Sequence, residues 1–277
     1  MLGLCNGAAV ASPFSSIPLL MKSNLNLEEL RNDYERDGFV IIRGLFNPEE
    51  FKELSDNLDR YVNEVVPTLP KDQAFFDDYG KPETLRKMQS LNKHDAWFQN
   101  FMQNGKHVAI QEYLMRDKCD PQGLEWFNKL PFDQSATPAH QDGFYWCRKP
   151  NIASGIWIAI DKVEIENGCL WYARGSHKGG INPHGASGVL GFSQGLLNFD
   201  PKQVDGVPIE LEPGDAVAHS SATIHWSGVN NTNRTRRAVA TFCYGASTVR
   251  DEEAYARYKA SLAEQLAKRG IENTSNK

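Results

Sequence analysis

The chain has 277 residues, 40% of them apolar and 23% charged, with a formal net charge of −5. That suffices for one large domain or two small ones around a sizeable core, and it excludes a general affinity for nucleic acid or anionic membrane. No apolar run approaches the roughly 18 residues of a membrane span. The five cysteines (Cys5, Cys119, Cys147, Cys169, Cys243) are scattered and form no Cys-x-x-Cys pair. Neither a disulfide framework nor a structural zinc site is therefore expected, and a cytoplasmic location is the default.

Residues 1–24 are small, apolar and serine-containing without the basic start of a signal peptide, and are expected to form a flexible N-terminal tail. Met21 would serve as a start in its own right. Residues 25–277 are expected to form a single domain. Asn26, Glu29 and Gly38 bracket a short helix, and Phe39–Ile42 reads as a strand. Asn47-Pro48-Glu49-Glu50 is a helix start, and Phe51, Leu54, Leu58, Tyr61, Val62 and Val65 mark one helix face that ends before Pro67.

Residues 67–82 read as an irregular excursion, Leu85 to Leu91 as a strand, 94–104 and 106–116 as helices, and Asp120 to Gly123 as a loop. Short apolar runs then recur: 124–128, 140–146, 153–160, 169–173, 207–211, 215–218 and 237–244. Their regular spacing argues for a sandwich or barrel. A last helix from Glu252 to Arg269 turns Tyr255, Tyr258, Leu262 and Leu266 inward, with Gly270 as its stop. Helices first and strands after give an α+β class, a double-sheet β-core with helices packed outside.

Within 140–146, His140 and Asp142 stand two apart on a run read as extended, which puts both side chains on one side. His225 is the best third ligand, and His219 is its rival. Two histidines and one carboxylate with open positions suit a non-haem Fe(II) oxygenase. A lone His-x-Asp is weak, since a strand histidine is more often a hydrogen-bonded core residue.

The landmarks around it are more specific. They are His140-Gln141-Asp142, Trp157 to Asp161, Glu166-Asn167-Gly168-Cys169-Leu170, Gly175-Ser176-His177-Lys178, Pro213-Gly214-Asp215-Ala216, and His225 to Arg236. In that order and spacing the sequence resembles the phytanoyl-CoA dioxygenase family of Fe(II)- and 2-oxoglutarate-dependent oxygenases, from about Asp37 to Phe242. The resemblance implies a double-stranded β-helix (a jelly roll, cupin-like) and metal ligands at His140, Asp142 and His225. It implies iron, 2-oxoglutarate and O2 as the reaction's components, with hydroxylation of an unactivated C–H bond and release of succinate and CO2.

The far carboxylate of 2-oxoglutarate needs a forked cation, which favours arginine. Arg236, eleven residues after His225, and Ser227, two after it, match the family's offsets. Arg234 and Arg237 are competitors, but Arg236 alternates with the small residues Ala238 and Ala240. Trp157 matches a tryptophan lining the cosubstrate pocket, and Arg86 aligns with a lysine beside the cosubstrate. Related halogenases replace the carboxylate with glycine or alanine, so Asp142 points to oxygen insertion.

For the substrate, Phe144, Tyr145, Trp146 and Arg148 offer an aromatic wall with a nearby cation, suiting a small anion or a zwitterion. Loops 67–82 and 178–206 are candidate covers. The partner is thus a small molecule, with no nucleic acid or membrane, and the chain is expected as a monomer or small homo-oligomer. The alternative is a metal-binding jelly roll without oxygen chemistry, an isomerase or ligand-binding module. The Ser227/Arg236 pair discriminates, because only the oxygenase needs a docking point for a dicarboxylate.

Overall fold

The computed structural model describes residues 25–187 and 194–268. The expected tail, Arg269 and Gly270 lie outside the described residues, as does the Leu266 side chain. Besides a single helical turn at Leu91–His94, the α-helices are α1 (Leu27–Asp37), α2 (Pro48–Arg60), α3 (Ala96–Asn104), α4 (Lys106–Met115), α5 (Asp142–Trp146) and α6 (Glu252–Lys268). The Asn26 side chain accepts from the Glu29 N–H, and Gly38 closes α1 at φ +88°. Only glycine fits Gly38, because a Cβ there would also meet the His177 ring and the Thr223 hydroxyl. Asn47 and Glu50 form a reciprocal capping box at the start of α2, which runs on through a π turn at Tyr61–Val65.

The strands that build the core are β1 (Phe39–Ile42), β2 (Ala74–Phe76), β3 (Leu85–Met88), β4 (Cys119–Lys129), β5 (Thr137–His140), β6 (Ala153–Ala159), β7 (Leu170–Ala173), β8 (Gly206–Ile209), β9 (Ala216–Ser220), β10 (His225–Ser227) and β11 (Arg236–Gly245). A seven-stranded sheet has the order β1-β9-β6-β11-β4-β3-β2, and a four-stranded sheet the order β8-β7-β10-β5. Pairing is antiparallel throughout. The two sheets form a jelly roll with helices against the large sheet, the α+β arrangement expected.

The large sheet buries both of its faces. On β6, Ile156 and Ile158 face the helical layer, where they join Leu54, Leu58, Phe98, Phe101 and Ile110. Trp157 and Ala159 face the other way, among Phe39, Tyr172, Ile209 and Val217. All seven residues of β6 are buried. A strand sealed on two faces reads as continuous apolar sequence, which is why 153–160 shows no alternation.

The structure corrects four expectations. The run 140–146 is not one strand: β5 stops at His140, and the Phe144 N–H bonds back to the Gln141 carbonyl to start α5. Residues 120–123 are not a loop but the first part of β4, where a register shift opposite Phe242 and Cys243 accommodates Pro121. The strand at Leu85 ends at Met88, because Ser90 adopts a left-handed conformation. Finally, Cys119 and Cys243 form a disulfide, with Cα atoms 5.5 Å apart. Pairing of β4 with β11 brings together cysteines 124 residues apart, which spacing alone does not reveal. None of the helices among the described residues is long and apolar enough to cross a membrane.

Candidate active site

Side chains on the inner face of the roll follow from strand register. Along β11, Arg236, Ala238, Ala240 and Phe242 share that face. Ala240 sits opposite Trp157 on β6 and Glu125 on β4, while Phe242 sits opposite Gly155 and Gly123. Both glycines leave room: a Cβ on Gly123 would meet the Phe242 ring at 2.9 Å, and one on Gly155 the His219 ring at 2.6 Å. The small sheet supplies the opposite wall, with His225 on β10 paired to His140 on β5 and to Tyr172 on β7. Between them lies a cavity of about 420 Å³.

His140, Asp142 and His225 meet in this cavity, each offering a ligand atom, all within 4.8 Å of one another. The His140 Nδ1–H donates to the Pro138 carbonyl at 2.8 Å, and the His225 Nδ1–H to the Thr223 carbonyl at 3.0 Å. Each Nε2 is thereby left as a lone-pair donor, the tautomer a metal ligand needs. The two Nε2 atoms lie 3.6 and 3.8 Å from Asp142 Oδ1. Burial lowers the pKa of His140, and pushes that of His225 down to about 3. Burial would raise the Asp142 carboxyl, but His225, His219 and His140 outweigh it and hold it below the usual carboxylate range. Neutral imidazoles beside an ionised carboxylate form a donor set ready for a divalent cation.

The change from strand to helix between His140 and Asp142 keeps both side chains in the cavity by a different route from a continuous strand. Gln141, between them, is fully buried. Its amide donates to the Gly180 and Ala222 carbonyls at 2.7 and 2.6 Å and accepts from the Asn182 N–H at 2.7 Å.

His219 is not among the three, although it lines the same cavity. Its Nε2–H donates to Asp142 Oδ2 at 2.9 Å, and its Nδ1 accepts from the Tyr172 hydroxyl at 2.9 Å. With both nitrogens committed, His219 holds one carboxylate oxygen and leaves Oδ1 toward His140 and His225.

At the other end of the cavity, Arg236 is 5% exposed, and burial pushes its pKa down to about 10. One Nη donates to the Gly168 carbonyl, but the buried Nε has no partner. Its guanidinium carbon stands 5.1 Å over the Trp157 ring. Ser227 lines the same end; its hydroxyl bonds Thr137 Oγ1 and accepts from the Lys129 ammonium, each at 3.0 Å. Arg234 pairs with Glu164 and Arg237 with Asp161, outside the cavity.

Three expected residues stand elsewhere, the first being Phe144, which stacks on His184 with ring centroids 4.3 Å apart and does not line the cavity. Arg86 is drawn into pairs with Asp77 and Asp133, and Lys87, one residue on, lines the cavity instead. Arg148 bonds the Thr248 side chain and carbonyl, at 3.0 and 2.7 Å, and stacks over Tyr244, so it is no part of the cavity wall. Tyr145 and Trp146 do line it, with Tyr258 of α6 and Phe242. Sequence reasoning missed Lys87, Glu125 and Phe127 in the wall, and Lys129, which lies behind it and donates to Ser227. The alternation of Glu125, Phe127 and Lys129 with the buried Leu124 and Trp126 was a readable signal for the last three.

Fold and cluster together define a cupin-like double-stranded β-helix with a two-histidine, one-carboxylate site at its centre. Residues 34–238 match the phytanoyl-CoA dioxygenase family, and the chain belongs to it. Peroxisomal phytanoyl-CoA dioxygenase of Rattus norvegicus is 27% identical over 286 residues, covering 95% of this chain and 81% of the relative. Among solved structures, the epimerase SnoN with Fe3+, alpha ketoglutarate and nogalamycin RO has a TM-score of 0.66 at 20% identity, over 81% of this chain and 85% of that one. EvdO2 from Micromonospora carbonacea var. aurantiaca, complexed with 2-oxoglutarate, has a TM-score of 0.64 at 23% identity, over 82% and 94%.

Proposed function

We propose that the protein is an Fe(II)- and 2-oxoglutarate-dependent dioxygenase that hydroxylates an unactivated C–H bond of a small molecule and releases succinate and CO2. One observation carries this reading: a buried arginine with an unpartnered Nε opens into the cavity that holds the His140, Asp142 and His225 cluster. A buried cation with an unmet donor costs free energy unless an anion completes it. A jelly roll that only bound metal would have no use for it.

In this reading His140 Nε2, His225 Nε2 and Asp142 Oδ1 would hold the iron, leaving positions for 2-oxoglutarate and O2. When bound, iron and 2-oxoglutarate supply the oxidising chemistry. The protein's own groups bind, orient and shield. Arg236 receives the far carboxylate on its fork, Ser227 offers a hydroxyl beside it, and Trp157 walls the cosubstrate and keeps water from the guanidinium. The Pro138 and Thr223 carbonyls fix the imidazole tautomers, and His219 fixes the carboxylate. Asp142 occupies the position that a halogenase leaves open, which favours hydroxylation.

Anaerobic protein with Fe(II) and 2-oxoglutarate should develop a weak visible charge-transfer band. Full metal loading without the band would favour the metal-binding alternative. Hydroxylated product equal to the succinate formed is the expected outcome, and succinate with an epimerised or cyclised product would overturn the hydroxylase assignment.

A further inference from the structure

The charge balance inside the cavity restricts what the substrate can be. Among the described lining residues, the charged side chains outside the metal cluster are Arg236, Lys87 and Glu125. Lys87 Nζ lies 3.1 Å from Glu125, each side chain 27% exposed. This pair cancels. If the site is loaded as proposed above, the two positive charges of iron and that of Arg236 are matched by Asp142 and the two carboxylates of 2-oxoglutarate. Lys129 is not a lining residue: its ammonium donates to the Ser135 and Gly228 carbonyls and to Ser227, and its charge and that of Arg86 are matched by Asp77 and Asp133 behind the wall. A charge on the substrate would therefore find no unpaired partner among the described lining residues, and burying it there would be unfavourable.

Glu125 also stands in the substrate half. It is the register partner of Ala240, four strand residues from Arg236, or roughly 13 Å. Beyond it the walls are flat. Trp146 stacks on Phe242 with centroids 5.1 Å apart and planes 14° from parallel, and Tyr145 meets Tyr258 edge-on at 5.7 Å and 78°. These four side chains give the wall flat aromatic surface, against which a ring can pack face-offset or edge-on.

Resting on the oxygenase reading, we propose that the substrate is an uncharged, ring-bearing molecule, and that Glu125 is the specificity-determining residue that turns anions away. Lys87 is the natural anchor for an anion at this end, and Glu125 neutralises it. The chain thus carries a cation in its cavity wall that is unavailable to an acidic substrate.

The pair 2-naphthol and 2-naphthoate, one neutral and one anionic at pH 7 on the same ring system, tests the charge. Binding is measured by calorimetry, anaerobically, on protein holding Fe(II) and saturating 2-oxoglutarate. Wild type should bind the naphthol at least ~10-fold more tightly than the naphthoate. Glu125→Gln frees Lys87 and should improve naphthoate binding at least ~10-fold, with naphthol changed less than ~3-fold. Naphthoate or palmitoyl-CoA binding wild type as tightly as naphthol would overturn the uncharged class. Failure of both aromatic probes to bind at millimolar concentration would overturn the ring. An unchanged naphthoate affinity in Glu125→Gln would remove Glu125 from the role. The Fe(II)–2-oxoglutarate band separates the two levels: its absence sinks the oxygenase reading, whereas an intact band with naphthoate preferred sinks this inference alone.

Discussion

The two faces of the large sheet are made by the same strands and have opposite tasks. On the outer face, Ile156, Ile158 and Val239 pack against helices in a dry apolar layer. On the inner face, the neighbouring residues are Gly155, Trp157 and Arg236, which border a cavity holding ionisable groups. Outer residues contribute roughly 1.5–3 kcal/mol each by leaving water. An inner arginine with an unmet donor costs free energy in the empty state. Stability and function are therefore separated by the two-residue period of a strand, and substitutions one position apart should report on different observables.

The largest expected effect is on the metal cluster. Asp142→Ala removes the only carboxylate among its three ligands, and succinate formation from 2-oxoglutarate should fall to background. Retained turnover would take Asp142 out of the cluster. Next come two substitutions of similar energetic cost on opposite faces. Arg236→Ala should weaken 2-oxoglutarate binding by ~30- to 1000-fold, as expected for truncating one partner of a buried charge pair, while Arg237→Ala, on the other side of the strand, should leave it nearly unchanged. Ile158→Ala should cost about 2–5 kcal/mol of folding free energy in a urea titration, with the 2-oxoglutarate affinity of the folded protein preserved. If Ile158→Ala instead altered cosubstrate affinity as much as Arg236→Ala, the division between faces would fail.

A smaller effect belongs to the residue that touches the cluster without joining it. His219→Leu leaves Asp142 Oδ2 without its 2.9 Å donor and should lower Fe(II) affinity by about 10- to 100-fold, as loss of a group orienting a metal ligand generally does. His219→Gln, which can still donate to Oδ2, should recover part of it. A ligand role for His219 would show as loss of binding in both variants.

Much of this was legible in sequence because its signals are local or recur at fixed offsets. His140 and Asp142 are two apart, and Ser227 and Arg236 stand at fixed distances after His225. What could not be read depends on register. The choice between Arg86 and Lys87 is a one-residue difference, and on a strand that reverses which side faces the cavity. The Lys87–Glu125 pair and the Cys119–Cys243 bridge join segments that only the pairing of β3 with β4, and of β4 with β11, brings side by side. His140 to Trp146 failed as a strand because aromatic content argues for extension, while a return hydrogen bond to Gln141 decides for a turn.

The outer layer holds one titratable group whose effect should appear in stability and leave chemistry untouched. His107 on α4 is fully buried against Phe101, ring centroids 4.6 Å apart, and neither ring nitrogen has a hydrogen-bond partner. Burial pushes its pKa from 6.5 down to about 3. The folded protein thus keeps His107 neutral where the unfolded chain would protonate it, so the unfolded state binds more protons below pH 6.5. Stability from this group is complete above that pH and is lost as the pH falls from 6.5 toward 3. At pH 5.5 the loss should be about 1.4 kcal/mol. His107→Leu, apolar and able to fill much of the same space, should remove that increment. The drop in urea-unfolding free energy between pH 7.5 and 5.5 should then be about 1.4 kcal/mol smaller than in wild type. His140 and His225 contribute their own acid sensitivity, but equally in both proteins, so the difference isolates His107. An identical drop in the two proteins would mean that His107 is hydrated or protonated in the folded state, and that the layer behind the large sheet is not dry at that point.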